Sequence, residues 1–380
     1  MNMEVVKGFR DYTGEEAWKR ARIKEIMEKT FQSYGFEPAE TPIIENEEFV
    51  VGENPNDEAV SDRYKLEDKG KRKLALRYEF TFQLKRIANN KKLPWKRYQI
   101  GPVFRDEPVS ANRVRQLTQC DVDVIGSTLR DEAEVLKTFS EALKNLNIKF
   151  KIYVNNRKLL NEILEELKIE EKDKQQVIRE IDKLDKLSKE EIKANLKKLK
   201  AEKALDIFTK PETYFEKYKS YNEIKELKKF CREYKVDLEF VPSLARGLAY
   251  YNGSVFEIKT SGIKETICGG GSYMIKGIQA TGISASIERL EILAKIEDGS
   301  EKYLVVSLDE DKKAIELGQK IREKGNIVST FYGKPSKALE YANSYKYSKV
   351  IFVGADEVKS GKFKVKDMAS GRTNELKFSK

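Results

Sequence analysis

Hydrophobic and polar positions along the first 125 residues of the chain follow two kinds of spacing. Residues 15–36 place apolar side chains three and four positions apart and end near Gly35, which predicts a helix with one buried face. The segments that follow predict, in order, a short strand broken by Pro42 (38–49), a hairpin that turns near Lys69 and Gly70 (64–81) and a helix (81–90).

A polar loop then separates two strand-like runs, YQIGPVF (98–104) and QLTQCDVDVIG (116–126). Polar and apolar residues alternate along the second run, so one face of that strand is predicted to meet a core and the other a polar surface. The polar face carries Gln119, Asp121 and Asp123, and the core face carries Cys120, Val122 and Val124.

Two arginines, Arg105 and Arg113, flank the polar loop. A planar guanidinium group bonds two oxygens at once, so arginines that project from rigid strands suit phosphate groups. The alternative is a salt-bridged pair on a surface, which contributes only ~0–1 kcal/mol. Taken alone, this stretch leaves both interpretations open.

Residues 158–234 have a different character, because they are rich in Lys and Glu and carry Leu and Ile at helical spacing. We expect a helical insertion here. A solvated helical lid and a nucleic-acid clamp both fit this composition.

Strand-like alternation returns at residue 235, and a glycine run at 269–271 precedes a helix predicted to start near Ser284. Residues 298–303 predict a linker. Strands and helices then alternate from residue 303, and the tail closes as a hairpin around Ser370 and Gly371. This last segment predicts a small α/β domain with a mostly parallel sheet.

Composition narrows the class of protein. The 380 residues allow two or three domains, and the net charge of +10 favours a polyanionic partner, although a lysine-rich soluble surface gives the same balance. Cys120, Cys231 and Cys268 are far apart, which argues against a disulfide framework or a cysteine zinc site. We find no signal peptide and no apolar run long enough for a bilayer, and so expect a reduced, cytoplasmic protein.

The chain contains no His, which excludes His general bases, Ser–His–Asp triads and His metal ligands. Any catalysis must therefore use Arg, Lys, Asp, Glu, Tyr, bound metal ions or the substrate's own groups. Three further segments carry candidate binding residues of these types: Glu79 with Thr81, Arg246 with Tyr250 and Tyr251, and Glu288 with Arg289.

Taken in order, these segments resemble the histidyl-tRNA synthetases, a family of class II aminoacyl-tRNA synthetases. The resemblance runs along nearly the whole chain. It rests on KGFRDYTGEEA at the start, TPIIENEEF (motif 1), RYQIGPVFRDE (motif 2), LARGLAYY and ICGGGSY (two histidine-specific segments) and TGISASIERL (motif 3).

The resemblance implies an α+β fold, in which a class II synthetase catalytic core has an antiparallel sheet flanked by helices. A helical insertion and a C-terminal α/β anticodon-binding domain complete it. We expect the catalytic domain in two parts at 1–157 and 235–298, the insertion at 158–234 and the anticodon-binding domain at 303–380. The resemblance also implies a homodimer built through motif 1.

The same resemblance implies roles for individual residues around ATP. Arg105 is expected to hold the α-phosphate and the amino acid carboxylate, and Arg246 to act as a catalytic arginine at the α-phosphate. Glu107 is expected to contact adenine, Arg113 the γ-phosphate, and Arg289 ATP. ATP is the implied substrate, with Mg²⁺, and no resident metal site is expected.

Histidine-binding residues are implied in the same way, with L-histidine and tRNA(His) as partners. Glu79, Thr81 and Gln119 are expected to bind the ammonium group. Asp123 and Tyr251 are expected to bind the imidazole, and Tyr250 and Tyr273 complete the histidine-binding set.

The chain departs from the family pattern at Ala249, Ser272, Met274 and Ser286, and has Thr118 where the family often has His. These changes put the fine geometry of the site in question. Deliberate or selected avoidance of histidine, the implied amino acid substrate, and compositional drift both explain a chain without His.

A different function is carried by the regulatory subunits of ATP phosphoribosyltransferase, which share the catalytic fold and bind histidine without charging tRNA. Those subunits usually lack the C-terminal α/β domain and tend to lose the arginines that contact ATP. This chain has a segment that resembles the C-terminal domain and keeps all four arginines, which favours a synthetase.

Overall fold

The alternation around the arginine loop builds the centre of a large sheet in the computed structural model of the protein, which describes residues 3–52, 58–110, 113–246, 250–296 and 301–376. The chain divides into two units, Met1–Ile296 and Glu297–Lys380. The strands of the larger unit are β1 (Glu37–Pro38), β2 (Ile44–Asn46), β3 (Lys65–Glu67), β4 (Lys73–Leu76), β5 (Trp95–Phe104), β6 (Gln116–Ile125), β7 (Lys151–Asn156), β8 (Glu239–Phe240), β9 (Tyr251–Lys259), β10 (Cys268–Ile275) and β11 (Ile278–Ser286).

Eight of these strands form the main sheet, in the order β1-β5-β6-β11-β10-β9-β7-β8. All neighbours are antiparallel except the two-residue strands β1 and β8, which pair in parallel with β5 and β7. The strands β2, β4 and β3 make a separate small sheet, with the predicted hairpin turn between β3 and β4. The antiparallel core of the predicted fold class is therefore confirmed.

The helices of this unit are α1 (Gly14–Ser33), α2 (Glu47–Val51), α3 (Glu58–Ser61), α4 (Leu84–Ile87), α5 (Leu129–Asn145), α6 (Arg157–Glu166), α7 (Glu171–Ile181), α8 (Lys189–Lys198), α9 (Glu202–Phe208), α10 (Tyr221–Glu233) and α11 (Ile287–Leu293). Two 3₁₀ helices span Asp182–Asp185 and Glu212–Lys217. Within the described ranges, no helix is both long and apolar enough to cross a membrane.

The core lies between the main sheet and helices α1 and α5. Cys120, Val122 and Val124 of β6 are fully buried there, as their alternation predicted. The predicted apolar face of α1 supplies Met27 and Phe31 to the same core. Each fully buried aliphatic or aromatic side chain contributes roughly 1.5–3 kcal/mol, so this layer fixes the face that β6 turns away from the core.

Three element predictions differ from the structure. The helix expected at 81–90 is a single turn, α4. The strand expected at 38–49 is two short strands followed by helix α2. The motif 3 helix begins at Ile287 rather than near Ser284, because β11 continues to pair with β6 as far as Ser286 opposite Gln119.

The segment between β7 and β8 is helical, from α6 to α10. Its apolar residues, such as Leu159, Ile163 and Leu227, belong to the same buried cluster as the core of the sheet. These helices are therefore packed onto the larger unit through their apolar faces, and their charged faces remain in water.

The smaller unit is an α/β domain. Its elements are β12 (Lys302–Ser307), α12 (Asp311–Glu323), β13 (Ile327–Tyr332), α13 (Pro335–Ser344), β14 (Lys349–Val353), α14 (Ala355–Ser360), β15 (Phe363–Asp367) and β16 (Thr373–Leu376). The sheet order is β13-β12-β14-β15-β16, with β12, β13 and β14 parallel. The predicted terminal hairpin is present as β15 and β16.

One acidic side chain is buried in the larger unit without a cation. Glu132 of α5 is 4% exposed, and its Oε2 has no hydrogen-bond partner. Burial raises the pKa of Glu132 to about 7, while the neighbouring hydroxyls of Ser254 and Ser272 act against that shift. The folded state therefore binds this proton more tightly than the unfolded chain does.

Replacing Glu132 by Gln is expected to stabilise the protein at alkaline pH. Because the pKa is raised on folding from 4.5 to about 7, the wild type loses stability as pH rises through that interval. The loss reaches roughly 3 kcal/mol above pH 7 and is absent below the unfolded pKa. Urea unfolding of the larger unit at pH 5 and pH 8.5 measures this.

The matched control is Glu134→Gln on the same helix. Glu134 pairs with Lys96 at 2.6 Å and is partly exposed, so its removal is expected to bring no gain at pH 8.5. The prediction is wrong if the free energies of unfolding of Glu132→Gln and of the wild type differ by the same amount at pH 5 and at pH 8.5. The carboxyl would then stay ionised in the folded protein.

Candidate active site

A cleft opens on the face of the main sheet that β6 turns away from the core. Eleven of the twelve predicted site residues line it: Thr81, Arg105, Glu107, Arg113, Gln119, Asp123, Arg246, Tyr250, Tyr251, Tyr273 and Arg289.

Glu79 is the one predicted residue outside the lining. It is buried, at 6% exposure, close to the two tyrosines of the cleft wall. Burial raises the pKa of Tyr250 well above its usual range, and the charges of Tyr251 and Glu79 add to the shift. Glu79 is therefore near enough to Tyr250 and Tyr251 for its charge to act on both.

One side of the cleft is a cluster of arginines. Arg105 at the end of β5 donates from Nε to the Tyr78 carbonyl oxygen at 3.1 Å, which fixes its direction. Arg289 of α11 donates from Nη1 to the Thr266 carbonyl oxygen at 2.7 Å. Arg113 is 58% exposed and lies 3.5 Å from Glu107, so it is the least constrained of the group.

These arginines are close enough to act on each other. Burial lowers the pKa of Arg289, although Glu265 opposes the shift. The charges of Arg105 and Arg113 lower it further, because like charges disfavour each other's ionised forms. An anion placed between the three side chains would relieve this repulsion.

Arg246 also lines the cleft. Its backbone has a left-handed φ of 59°, and its Nη1 lies 3.1 Å from Glu257 Oε1 on β9. The guanidinium lies flat against Gly269 of β10, where any added Cβ would collide with it. Gly269, the first glycine of ICGGGSY, is therefore needed to make room for this arginine.

The floor of the cleft is acidic. On the paired strands β5, β6 and β11, Arg97 and Gly282 lie opposite Asp123 on either side. Arg97 Nη2 approaches Asp123 Oδ2 at 2.6 Å, and the Tyr273 hydroxyl donates to Oδ1. A side chain at Gly282 would collide with the Asp123 carboxylate, so this glycine also gives room to a site residue.

Asp121 lies one pleat further along the floor. Ser284 Oγ donates to its Oδ1 at 2.6 Å, and Gln119 Nε2 donates to its Oδ2 at 2.8 Å. Burial raises the pKa of Asp121 to about 7, and the nearby Arg97 partly offsets the shift. The polar face predicted for β6 thus lines the cleft along its whole length.

An aromatic wall closes the floor on the side of β9 and β10. The rings of Tyr250 and Tyr251 have centroids 4.7 Å apart, and those of Tyr250 and Tyr273 lie 5.6 Å apart, edge to face. Tyr251 and Tyr273 are buried. The wall excludes water from the Asp123 carboxylate, which strengthens each hydrogen bond made there.

A buried network joins α1 to α11 behind the arginine cluster. Arg20 donates to Glu288 at 2.7 Å, to Glu291 at 3.0 Å and to the Thr118 hydroxyl at 3.0 Å. Glu288 also accepts from the Thr118 backbone N–H at 3.0 Å. The helix that carries Arg289 is therefore anchored to β6 as well as to α1.

Sequence reasoning assigned no role to Arg97, Asp121, Ser284 or Arg20. The signal available for Arg97 was strand register, since an antiparallel pair closed by the arginine loop places it opposite Asp123. Arg20 lies on the buried face of α1 with Ile23 and Met27, so a charged residue on a predicted apolar face was the available signal. Only the tertiary fold brings it to Glu288.

The departures from the family pattern lie at different distances from the cleft. Ala249 falls outside the described residues. Ser272 and Met274 do not line the cleft, and Met274 is 44% exposed. Ser286 does line it, and its hydroxyl donates to Glu288 at 2.7 Å, within the network that anchors α11.

In the described part of the chain, no group of three or more acidic or cysteine side chains is placed to hold a metal ion. Mg²⁺ usually binds one or two carboxylates together with substrate phosphates. The cleft offers Glu107 and Glu288 beside the arginines, which fits a metal that arrives with a phosphate substrate.

The chain matches the family described as Histidyl-tRNA synthetase over residues 8–290 and the Anticodon binding domain over residues 302–380. Histidine–tRNA ligase 2 of Shouchella clausii is 33% identical, with 98% of both chains covered. Histidine–tRNA ligase of Wolinella succinogenes is also 33% identical and covers 97% of this chain and 94% of the relative.

Solved structures share the fold. Histidyl-tRNA synthetase from Nostoc sp. PCC 7120 aligns with a TM-score of 0.86 at 26% identity, covering 99% of this chain and 97% of that one. A Bacillus halodurans C chain described as an ATP phosphoribosyltransferase regulatory subunit/histidyl-tRNA synthetase aligns with a TM-score of 0.76 over 92% of this chain and 98% of that one. At 21% identity, the second likeness shows a common fold alone. Because the family match spans most of its length, the chain belongs to the histidyl-tRNA synthetase family.

Proposed function

We propose that the protein activates L-histidine with ATP to histidyl-adenylate and transfers the histidyl group to the 3′ end of tRNA(His). The observation that carries this proposal is that one cleft joins an arginine cluster to an acidic and aromatic floor. Gln119 lies between the two, and its Oε1 accepts from Arg105 Nη2 at 3.4 Å. An amino acid carboxylate and a phosphate would meet at this junction.

In the first step, the histidine carboxylate attacks the α-phosphorus of ATP and pyrophosphate leaves. Negative charge builds on the equatorial phosphate oxygens, and donors already fixed in place stabilise it without reorganising. We assign this role to Arg105 and Arg246, both of which are held by neighbouring groups. Arg113 and Arg289 would bind the remaining phosphates and the nucleotide, with Mg²⁺ as part of the ATP substrate.

The floor would select the amino acid. Asp123 and Tyr273 offer hydrogen-bonding groups to an imidazole, while Gln119, Thr81 and Glu79 would attract the ammonium group. A site built to bond a polar group rejects analogues that lack it by roughly 10⁴–10⁵, since buried groups are then left unpaired.

In the second step, the terminal ribose hydroxyl of tRNA attacks the carbonyl carbon of the adenylate, and AMP leaves. The chain has no His to serve as a base, so a phosphate oxygen of the adenylate is the proposed proton acceptor. Residues 301–380 carry 17 Lys and Arg against 11 Asp and Glu, a net charge of +6 that would attract the anticodon arm. We also propose a homodimer through motif 1 and a cytoplasmic location.

The second candidate is a histidine-binding regulatory paralogue without aminoacylation activity. This second candidate is kept because the Bacillus halodurans chain is similar in structure over 92% of this chain. The length of the chain therefore does not distinguish the two functions. The four arginines that line the cleft support the synthetase, since a pure histidine sensor would have no use for four arginines directed at a nucleotide.

Pyrophosphate exchange into ATP, with Mg²⁺ and each of the twenty amino acids in turn, tests the proposal. We expect exchange with histidine only, and charging of tRNA(His) once that tRNA is added. Histidine binding without exchange would instead support the regulatory paralogue. Exchange with a different amino acid would overturn the assignment of the acidic and aromatic floor to histidine.

A further inference from the structure

Asp121 is the one buried carboxylate on the floor of the cleft to which the proposed reaction gives no task. It lines the cleft and is 4% exposed. In the described part of the chain, its hydrogen bonds come from two uncharged groups, the Ser284 hydroxyl and the Gln119 amide. The nearby charge of Arg97 offsets only part of the cost of burying this carboxylate, so a purely structural place for it is a poor explanation.

The hydrogen bond to Gln119 has a definite direction. Gln119 Nε2 donates to Asp121 Oδ2 at 2.8 Å, and Gln119 Oε1 faces Arg105 Nη2 at 3.4 Å. Rotating the amide by half a turn would place its oxygen against a carboxylate and its NH₂ group against a guanidinium. Both neighbours therefore require the same orientation of the amide.

Orientation decides what Gln119 can bind. With its oxygen directed at the junction of the cleft, the amide accepts hydrogen bonds and attracts an ammonium group. With the amide reversed, the same position presents two N–H donors and repels that group. Ser284 holds Asp121 from β11, the neighbouring strand, where it lies directly opposite.

We infer that Asp121, held by Ser284, is a positioning residue that orients the Gln119 amide to accept from the ammonium group of the amino acid substrate. This inference rests on the proposed function, because it concerns the same substrate. It predicts that Asp121 acts through its hydrogen-bond acceptor and through Gln119, rather than through direct attraction by its charge.

Three variants separate these possibilities. Asp121→Leu removes the acceptor at nearly constant size and leaves the amide free to reverse. Asp121→Asn keeps one oxygen for Gln119 and directs its own NH₂ at the Ser284 hydroxyl, so the orientation survives without the charge. Gln119→Leu combined with Asp121→Leu tests whether Asp121 has any effect once its target is absent.

Calorimetric titration of the full-length protein with L-histidine, and with imidazolepropionic acid as the analogue without the ammonium group, provides the readout. Asp121→Leu should weaken histidine binding roughly 10- to 150-fold, the value of a hydrogen bond to a charged group. Binding of the deamino analogue and of ATP should stay close to wild type. Asp121→Asn should bind histidine nearly as the wild type does, and the double variant no more weakly than Gln119→Leu alone.

Several outcomes would overturn the inference. Equal losses for Asp121→Asn and Asp121→Leu would show that the charge itself attracts the ammonium group. A parallel loss for the deamino analogue would show general damage to the site. Should the Leu variant be too unstable to titrate, Asp121→Ala removes the same acceptor without adding bulk. A wild type that binds no histidine would count against the proposed function, whereas a wild type that binds it and a Leu variant that matches it would count against this inference alone.

Discussion

Replacing Arg246 by Gln is expected to lower the kcat of histidine-dependent pyrophosphate exchange by roughly 10²–10³-fold, with a much smaller change in the KM for histidine. Removing one fixed donor to a developing oxyanion costs ~2.7–4 kcal/mol of barrier. Arg246 fits that role because Glu257 and Gly269 hold its guanidinium in one place before the substrate arrives. Steady-state exchange with saturating MgATP measures both constants.

Arg113→Gln is the matched control. This arginine lines the same cleft, but its side chain is 58% exposed and, among the described residues, pairs with Glu107 at 3.5 Å, so it should cost far less in kcat. Gly269→Ala should reproduce this loss with Arg246 itself unsubstituted, because the added methyl group would occupy the space of its guanidinium. Equal kcat values for Arg246→Gln and the wild type would show that Arg246 has no catalytic role.

Asp123→Asn is expected to abolish histidine activation and also to destabilise the larger unit by about 3–5 kcal/mol. Arg97 is fully buried and 2.6 Å from this carboxylate, so neutralising the aspartate leaves a buried cation without its partner. Denaturant unfolding of the variant, beside pyrophosphate exchange, records the two effects separately.

The double variant Arg97→Met/Asp123→Asn separates stability from function. Removing the cation as well should restore most of the lost stability, since the buried charge is then gone. Histidine activation should stay lost, because the carboxylate proposed to meet the imidazole is still absent. Recovery of activity in the double variant would show that Asp123 matters only as the counter-charge of Arg97.

Local sequence patterns predicted the structure correctly where the neighbours of a residue are set by its own strand or helix. Alternation along 116–125 predicted which side chains of β6 meet the core and which line the cleft, because a pleated strand allows no other division. The end of α1 before Gly35 followed from the positive φ that this residue adopts. The resemblance of the motifs then brought Arg105, Arg246 and Arg289 to one site.

Patterns failed where neighbours come from distant parts of the chain. The partner of Asp123 is Arg97 on β5, and the partner of Asp121 is Ser284 on β11, which follows β6 in the chain only after the whole helical segment. The short helix α4 was overestimated because 81–90 has helical composition but packs in the fold for one turn only. Arg20 showed locally only as a charged residue on the apolar face of α1, because its acceptors lie 98 to 271 residues away.

The cleft is built from arginine, carboxylate, amide and tyrosine side chains, and the whole chain contributes no imidazole. In a complex with histidine, every imidazole resonance would therefore belong to the ligand. Nitrogen-15 NMR of labelled histidine bound to this protein could report directly whether each ring nitrogen carries a proton, without selective labelling of the protein. The proposed histidine site can thus be followed through the signals of the ligand alone.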